Sequence, residues 1–145
     1  TMHLSIASDH AGFERKQQIL NWLEKEGHTL TDFGTHSEES VDYPDFVHPL
    51  VRHLEENPYE LGILICGSGE GVCMTANKYA HIRAALVWKP EIAALTRQHN
   101  NANVLCLPGR FLTEAEAIEC VRIFLTTKFE GGRHQNRIDK MNPTK

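Results

Sequence analysis

The chain has 145 residues, with 15 Lys and Arg against 19 Asp and Glu and a net charge of −4 at pH 7. That length suits one domain over residues 1–145 with a sizeable core, and the acidic balance argues against nucleic acid or a membrane surface as partner. No stretch approaches the roughly 18 consecutive apolar residues of a membrane span. The four cysteines, Cys66, Cys73, Cys106 and Cys120, form no Cys-x-x-Cys pair. Reduced thiols in a cytoplasmic enzyme fit them better than a disulfide framework. The histidines show no His-x-x-x-His or Cys/His ligand spacing, so no metal site is expected.

In chain order, His3 to Ser8 alternates and reads as a first strand. Asp9-His10-Ala11-Gly12 ends it and opens a helix to Glu26, whose Phe13, Lys16, Ile19, Leu20 and Leu23 follow helical spacing. Residues 28–33 form a second strand closed by Gly34, and an acidic loop covers 35–43. Tyr43-Pro44-Asp45 leads into a helix through Val47, Leu50, Val51 and Leu54. A buried strand, Ile63 to Ile65, then stops at Cys66 and breaks into glycines at 67, 69 and 71 before a helix over 72–79. Residues 83–88 are a fourth strand, and Lys89-Pro90-Glu91 opens a helix ending near His99-Asn100-Asn101. Residues 103–107 are a fifth strand, and Thr113-x-x-Glu116 is a capping box for a helix to Thr127. Gly131-Gly132 breaks the chain before a short basic helix over 133–141.

Strands and helices in alternation predict a parallel sheet covered on both faces: an α/β, three-layer fold with five strands and a basic C-terminal helix. Ligands in such sheets sit at the carboxyl ends of the strands. Asp9-His10, Tyr43 and Cys66-Gly67-Ser68 all fall at that edge. The glycine loop reads either as an anion-binding turn, with backbone N–H groups free to approach a ligand, or as a tight turn required by packing. Arg133 and Arg137 lie four residues apart, on one face of a helix, and two guanidiniums so placed suit a phosphate. A helix this short is marginal alone, so it is expected to dock on its own domain or on a second subunit.

Six separated motifs carry a more specific signal. They are Ser8-Asp9-His10-Ala11-Gly12, Asp42-Tyr43-Pro44, Ile65-Cys66-Gly67-Ser68-Gly69, Ala76-Asn77-Lys78, 97–103 (Arg-Gln-His-Asn-Asn-Ala-Asn) and Glu130-Gly131-Gly132-Arg133-His134. In order and spacing the sequence resembles the type B ribose-5-phosphate isomerases, in the wider group that includes galactose-6-phosphate isomerases. The resemblance implies a Rossmann-like sheet of five parallel strands and an aldose–ketose isomerisation through a cis-enediolate, without metal or organic cofactor, in a homodimer or tetramer whose subunits share active sites. It implies Cys66 as the base that moves the proton between C2 and C1. It further implies His99 as the acid that opens the furanose ring, Asp9 as an orienting group and Ser68 as a hydroxyl shuttle. Tyr43, Asn100 and Arg110 match substrate-contacting positions, and His10, Arg133 and Arg137 match phosphate binders.

The chemistry fits those residue types. Proton abstraction by sulfur needs the thiolate, which adjoining loop amides and a helix N-terminus stabilise. By the same resemblance the amides of Gly67, Ser68, Gly69, Glu70 and Gly71 would hold an enediolate oxygen, and one such donor is typically worth about 2.7–4 kcal/mol. An imidazole suits proton transfer near neutral pH. Two positions depart from the family pattern. Ser68 stands where threonine is expected, which keeps the hydroxyl. Glu70 places a carboxylate, expected to face solvent, beside a loop meant for anions. Allose and galactose 6-phosphates remain alternative substrates. A non-catalytic sugar-phosphate binding module is the reading from another class, and a thiol redox protein, which needs a resolving cysteine, is a third.

Overall fold

The computed structural model describes residues 1–144. Five strands, β1 (His3–Ser8), β2 (Thr29–Asp32), β3 (Leu61–Cys66), β4 (Ala84–Leu86) and β5 (Val104–Pro108), form one sheet in the order β2-β1-β3-β5-β4. Every pairing is parallel, with Ile6 opposite Ile63 and Leu64 opposite Cys106. The apolar central strands are the ones buried on both faces, as a sheet flanked by helices requires.

Helices α1 (Phe13–Lys25), α4 (Pro90–Gln98) and α5 (Glu114–Thr126) cover one face around Ile19, Leu23, Ala93, Val121 and Phe124. Helices α2 (Pro44–Glu56) and α3 (Glu70–Ala76) cover the other around Val47, Leu50, Val51, Val72 and Ala76. A final helix, α6 (Arg133–Asp139), has no buried residue. The sequence reading of the architecture holds, with some ends moved. Helix α3 starts at Glu70, because Gly69 at φ 75° turns the chain straight into it. Strand β4 is three residues long rather than six, and on its outer edge the Asn77 side chain bonds both the N–H and the carbonyl of Ala84, taking the partners an outer strand would offer.

The chain leaves β1 toward β2 on one side and leaves β3 toward the β4–β5 side on the other, so a crevice opens between the carboxyl ends of β1 and β3. Two close approaches fix its walls. A Cβ on Gly12 would lie 2.5 Å from the Ile65 carbonyl oxygen, so α1 meets β3 there only through glycine. Beneath α1, Lys16 is fully buried, and its Nζ reaches both Asp32 carboxylate oxygens at 2.8 and 2.7 Å. The lysine on the apolar face of α1 is thus an internal ion pair that ties the helix to the end of β2.

Candidate active site

At the end of β1, Asp9 is 7% exposed and its Oδ1 accepts the Gly12 N–H at 3.0 Å, which orders the turn into α1. The Val41 backbone N–H donates to His10 Nδ1 at 3.2 Å. A backbone N–H can only donate, so Nδ1 accepts and Nε2 carries the proton. His10 therefore presents a donor on its other edge, as an anion requires.

At the end of β3, Cys66 is 5% exposed and its carbonyl accepts the Gly109 N–H at 2.8 Å. Gly67 repeats the pattern with the Arg110 N–H at 3.1 Å, so the turns after β3 and β5 are stitched together. A Cβ at Gly67 would come within 3.3 Å of Arg110 Nη1, which shows how closely the guanidinium lies over the loop. Ser68 Oγ accepts the Glu70 N–H at 3.3 Å, leaving its own O–H free to donate elsewhere. The Tyr43 ring packs against Gly71, where a Cβ would sit 2.5 Å from Cζ. On the strand beside Cys66, Cys106 is fully buried, and burial pushes its thiol well above the ordinary range. It is no competing base.

These groups line one cavity of about 610 Å³, bounded by Asp9, His10, Tyr43, Cys66, Ser68 and Arg110, with Gly67, Glu70 and Gly71 in the loop beside them. Gly69 holds the loop's turn. Glu70 is exposed and lies on the cavity rim. Met74 and Phe111, 65% and 74% exposed, complete the mouth. Sequence reasoning missed both; the available signal was Phe111 in the Pro108-Gly109-Arg110 turn after a buried strand.

His99, Asn100, Arg133 and Arg137 lie elsewhere. Helix α4 runs back from the end of β4, so His99 at its carboxyl end stands near the start of β5. The carboxyl edge lies about 17 Å away, by the rise of five strand residues. Arg83 and Arg97 fix that corner: Arg83 Nε donates to the Asn100 carbonyl at 3.1 Å, and Arg97 Nη1 to the Ala102 carbonyl at 2.6 Å. Arg133 and Arg137 are exposed on α6, which docks at the same corner through the Glu130 N–H to Gln98 carbonyl bond at 3.1 Å. One chain thus carries two separate sets of the anticipated residues, one at each edge of its sheet.

Among the described residues, two clusters of ligand-type side chains also form: His3, His53 and Glu60, and His99, Glu130 and His134. Each joins segments far apart in sequence. Among the described residues all four cysteines are free thiols, and no helix is long and apolar enough to cross a membrane.

The sequence profile of the family described as Ribose/Galactose Isomerase matches residues 4–141. A ribose 5-phosphate isomerase from Thermotoga maritima is 49% identical and superposes with a TM-score of 0.93 over 95% of each chain. Ribose-5-phosphate isomerase B from Mycoplasma genitalium, solved with bound ribulose-5-phosphate, is 48% identical. Its TM-score is 0.93, covering 97% of this chain and 94% of that one. A curated relative from Mycoplasma pneumoniae, named a probable ribose-5-phosphate isomerase B, is 49% identical over 94% of this chain and 90% of its own length. With its fold, its motif order and nearly its whole length matched, the chain belongs to the ribose/galactose isomerase family.

Proposed function

We propose that residues 1–145 act as one domain that interconverts ribose 5-phosphate and ribulose 5-phosphate in the cytoplasm. The observation that carries this reading is the convergence of Asp9, His10, Cys66, Ser68 and Arg110 on a single cavity beside the glycine loop. Cys66, as thiolate, takes the C2 proton of the open-chain aldose, and the C1 carbonyl becomes the enediolate oxygen. Loop amides from Gly67 to Gly71 hold that oxygen. Ser68, whose O–H is free, passes a proton from O2 to O1. Cys66 then returns its proton to C1, giving the ketose with no net change in the enzyme. Asp9 and Tyr43 orient the sugar, and His10 and Arg110 meet the phosphate. The reaction as written calls on no metal or organic cofactor.

Ring opening needs an acid, and His99 is too far from Cys66 in its own chain to serve that site. We therefore assign His99, Asn100, Arg133 and Arg137 to the cavity of a second subunit, in a homodimer or a tetramer built from such dimers. The exposed Phe111 and Met74 at the cavity mouth supply an apolar surface for that contact.

The test is interconversion of the two pentose phosphates, with chelator present, by the native chain and by Cys66→Ala. Turnover that disappears in the variant is expected. Turnover retained by Cys66→Ala would remove the thiol from the mechanism. Turnover with allose or galactose 6-phosphate alone would move the chain to a hexose enzyme, and binding without turnover of any of them to a binding module.

A further inference from the structure

The cluster at the end of α4 has a geometry that the isomerase scheme leaves unused. The His99 ring, 43% exposed, is stacked on the His134 ring at 4.4 Å between centroids and 14° between planes. Glu130 Oε1 faces both rings, 3.4 Å from His134 Nε2 and 3.9 Å from His99 Nε2. His134 is the fixed partner, with only 11% of its side chain exposed. Gly131 and Gly132, at φ 69° and 57°, reverse the chain directly after Glu130. They bring the first turn of α6 back onto the end of α4, a path that residues with a Cβ rarely take.

Nearly parallel rings are a poor arrangement for one metal ion. Imidazole lone pairs lie in the ring plane, so two stacked rings cannot both aim at a point between them. The arrangement instead restricts one side chain. An imidazole at an exposed helix end samples several rotamers. A parallel partner on its face fixes its plane, and a carboxylate beyond its edge fixes the direction of Nε2. Resting on the proposed role of His99, we infer that Glu130 and His134 are positioning residues for the ring-opening acid. They hold the His99 imidazole in the one orientation from which it protonates the ring oxygen of a furanose in the neighbouring subunit. In that step the C1–O bond breaks and its electron pair goes to the ring oxygen, which receives the His99 proton. The C1 hydroxyl proton leaves to water, from which His99 is recharged, so no co-reactant is needed.

The experiment separates ring opening from enolisation. Ribulose 5-phosphate is acyclic, so exchange of its C1 hydrogen with solvent deuterium needs Cys66 but no ring opening. In the full-length enzyme, Glu130→Gln and His134→Ala are expected to slow turnover of ribose 5-phosphate by about ten- to a hundredfold, the range for a misplaced catalytic group. C1 exchange should stay within about threefold of native, since the enolising groups are untouched. His134→Phe keeps a flat partner for the stack and is expected to retain most of the turnover. Unchanged turnover in Glu130→Gln and His134→Ala would overturn the inference, as would an equal loss of turnover and exchange. His99→Asn is the reference: if it keeps full turnover, the role assigned to His99 is itself wrong.

Discussion

Gly69→Ala perturbs the hinge on which the glycine loop turns. Gly69 sits at φ 75°, a left-handed conformation that costs a residue with a Cβ about 1–2 kcal/mol. The added methyl would also lie 2.8 Å from Leu86 Cδ1, 2.9 Å from the Leu107 carbonyl carbon and 3.0 Å from the Pro108 nitrogen. Two of those three atoms are backbone at the end of β5, whose residues are fully buried, so the wall cannot retreat. Overpacking of this kind typically adds about 1–3 kcal/mol. The expected loss is therefore about 2–5 kcal/mol, a large part of the 5–15 kcal/mol that holds a typical domain together. Gly71→Ala is the internal control. It lies inside α3 at a negative φ, where alanine gains up to about 1 kcal/mol over glycine. The three atoms nearest its methyl all belong to the Tyr43 side chain, which is 38% exposed and has room to swing aside. Urea denaturation of both variants, with turnover measured alongside, gives the comparison. Gly69→Ala should be clearly destabilised, and Gly71→Ala should be near native in stability but slower, with Tyr43 displaced. Equal stability losses would refute the distinction between a rigid wall and a mobile ring, and a loss below about 0.5 kcal/mol in Gly69→Ala would refute the strain estimate.

Mixing tests the shared site: Cys66→Ala and His99→Asn should each be inactive alone. After joint refolding in equal amounts they should recover about a quarter of native activity, because about half the dimers are hybrids with one intact site of two; no recovery would place all the residues within one chain's site. Asp32→Asn should cost about 3–5 kcal/mol, because it removes the counter-charge of the fully buried Lys16 ammonium and leaves it the neutral Gln17 Oε1 at 3.2 Å, while Lys16→Met should cost less, since Asp32 keeps the Gly34 N–H at 2.9 Å and partial exposure to water. Thermal or urea unfolding of the two variants checks that order. The Thr113 backbone N–H, followed by the Thr113 side chain, holds the Glu116 carboxyl below its ordinary 4.5. A depressed carboxyl stabilises the fold above its unfolded pKa and loses that contribution as pH falls through the folded value. The stability advantage over Glu116→Ala from the Glu116 charge should thus be full at neutral pH and shrink below about 4.5, with a pH-independent difference counting against the capping box.

The sequence determined most of the architecture, and for local reasons. Short apolar runs such as Ile63 to Ile65, alternating with helical spacing such as Ile19, Leu20 and Leu23, leave a parallel sheet covered on both faces as the consistent solution. The Thr113–Glu116 capping box marked a helix start that the structure reproduces, because its two hydrogen bonds join residues three apart. The carboxyl-edge half of the site was legible in the same way, since strand ends at Asp9 and Cys66 must share an edge once the strands are parallel. Only the tertiary structure decided the rest. Whether Lys16 was a solvated charge or a buried one depended on Asp32, sixteen residues away, coming to meet it. His99 and Cys66 fall at opposite edges of one chain because α4 runs antiparallel to the strands, a vector that residue identities alone do not carry. The stack of His99 on His134 depends on two glycines folding the chain back onto α4. Periodicity reports which side of an element is buried; the partner across the gap is a property of the whole fold.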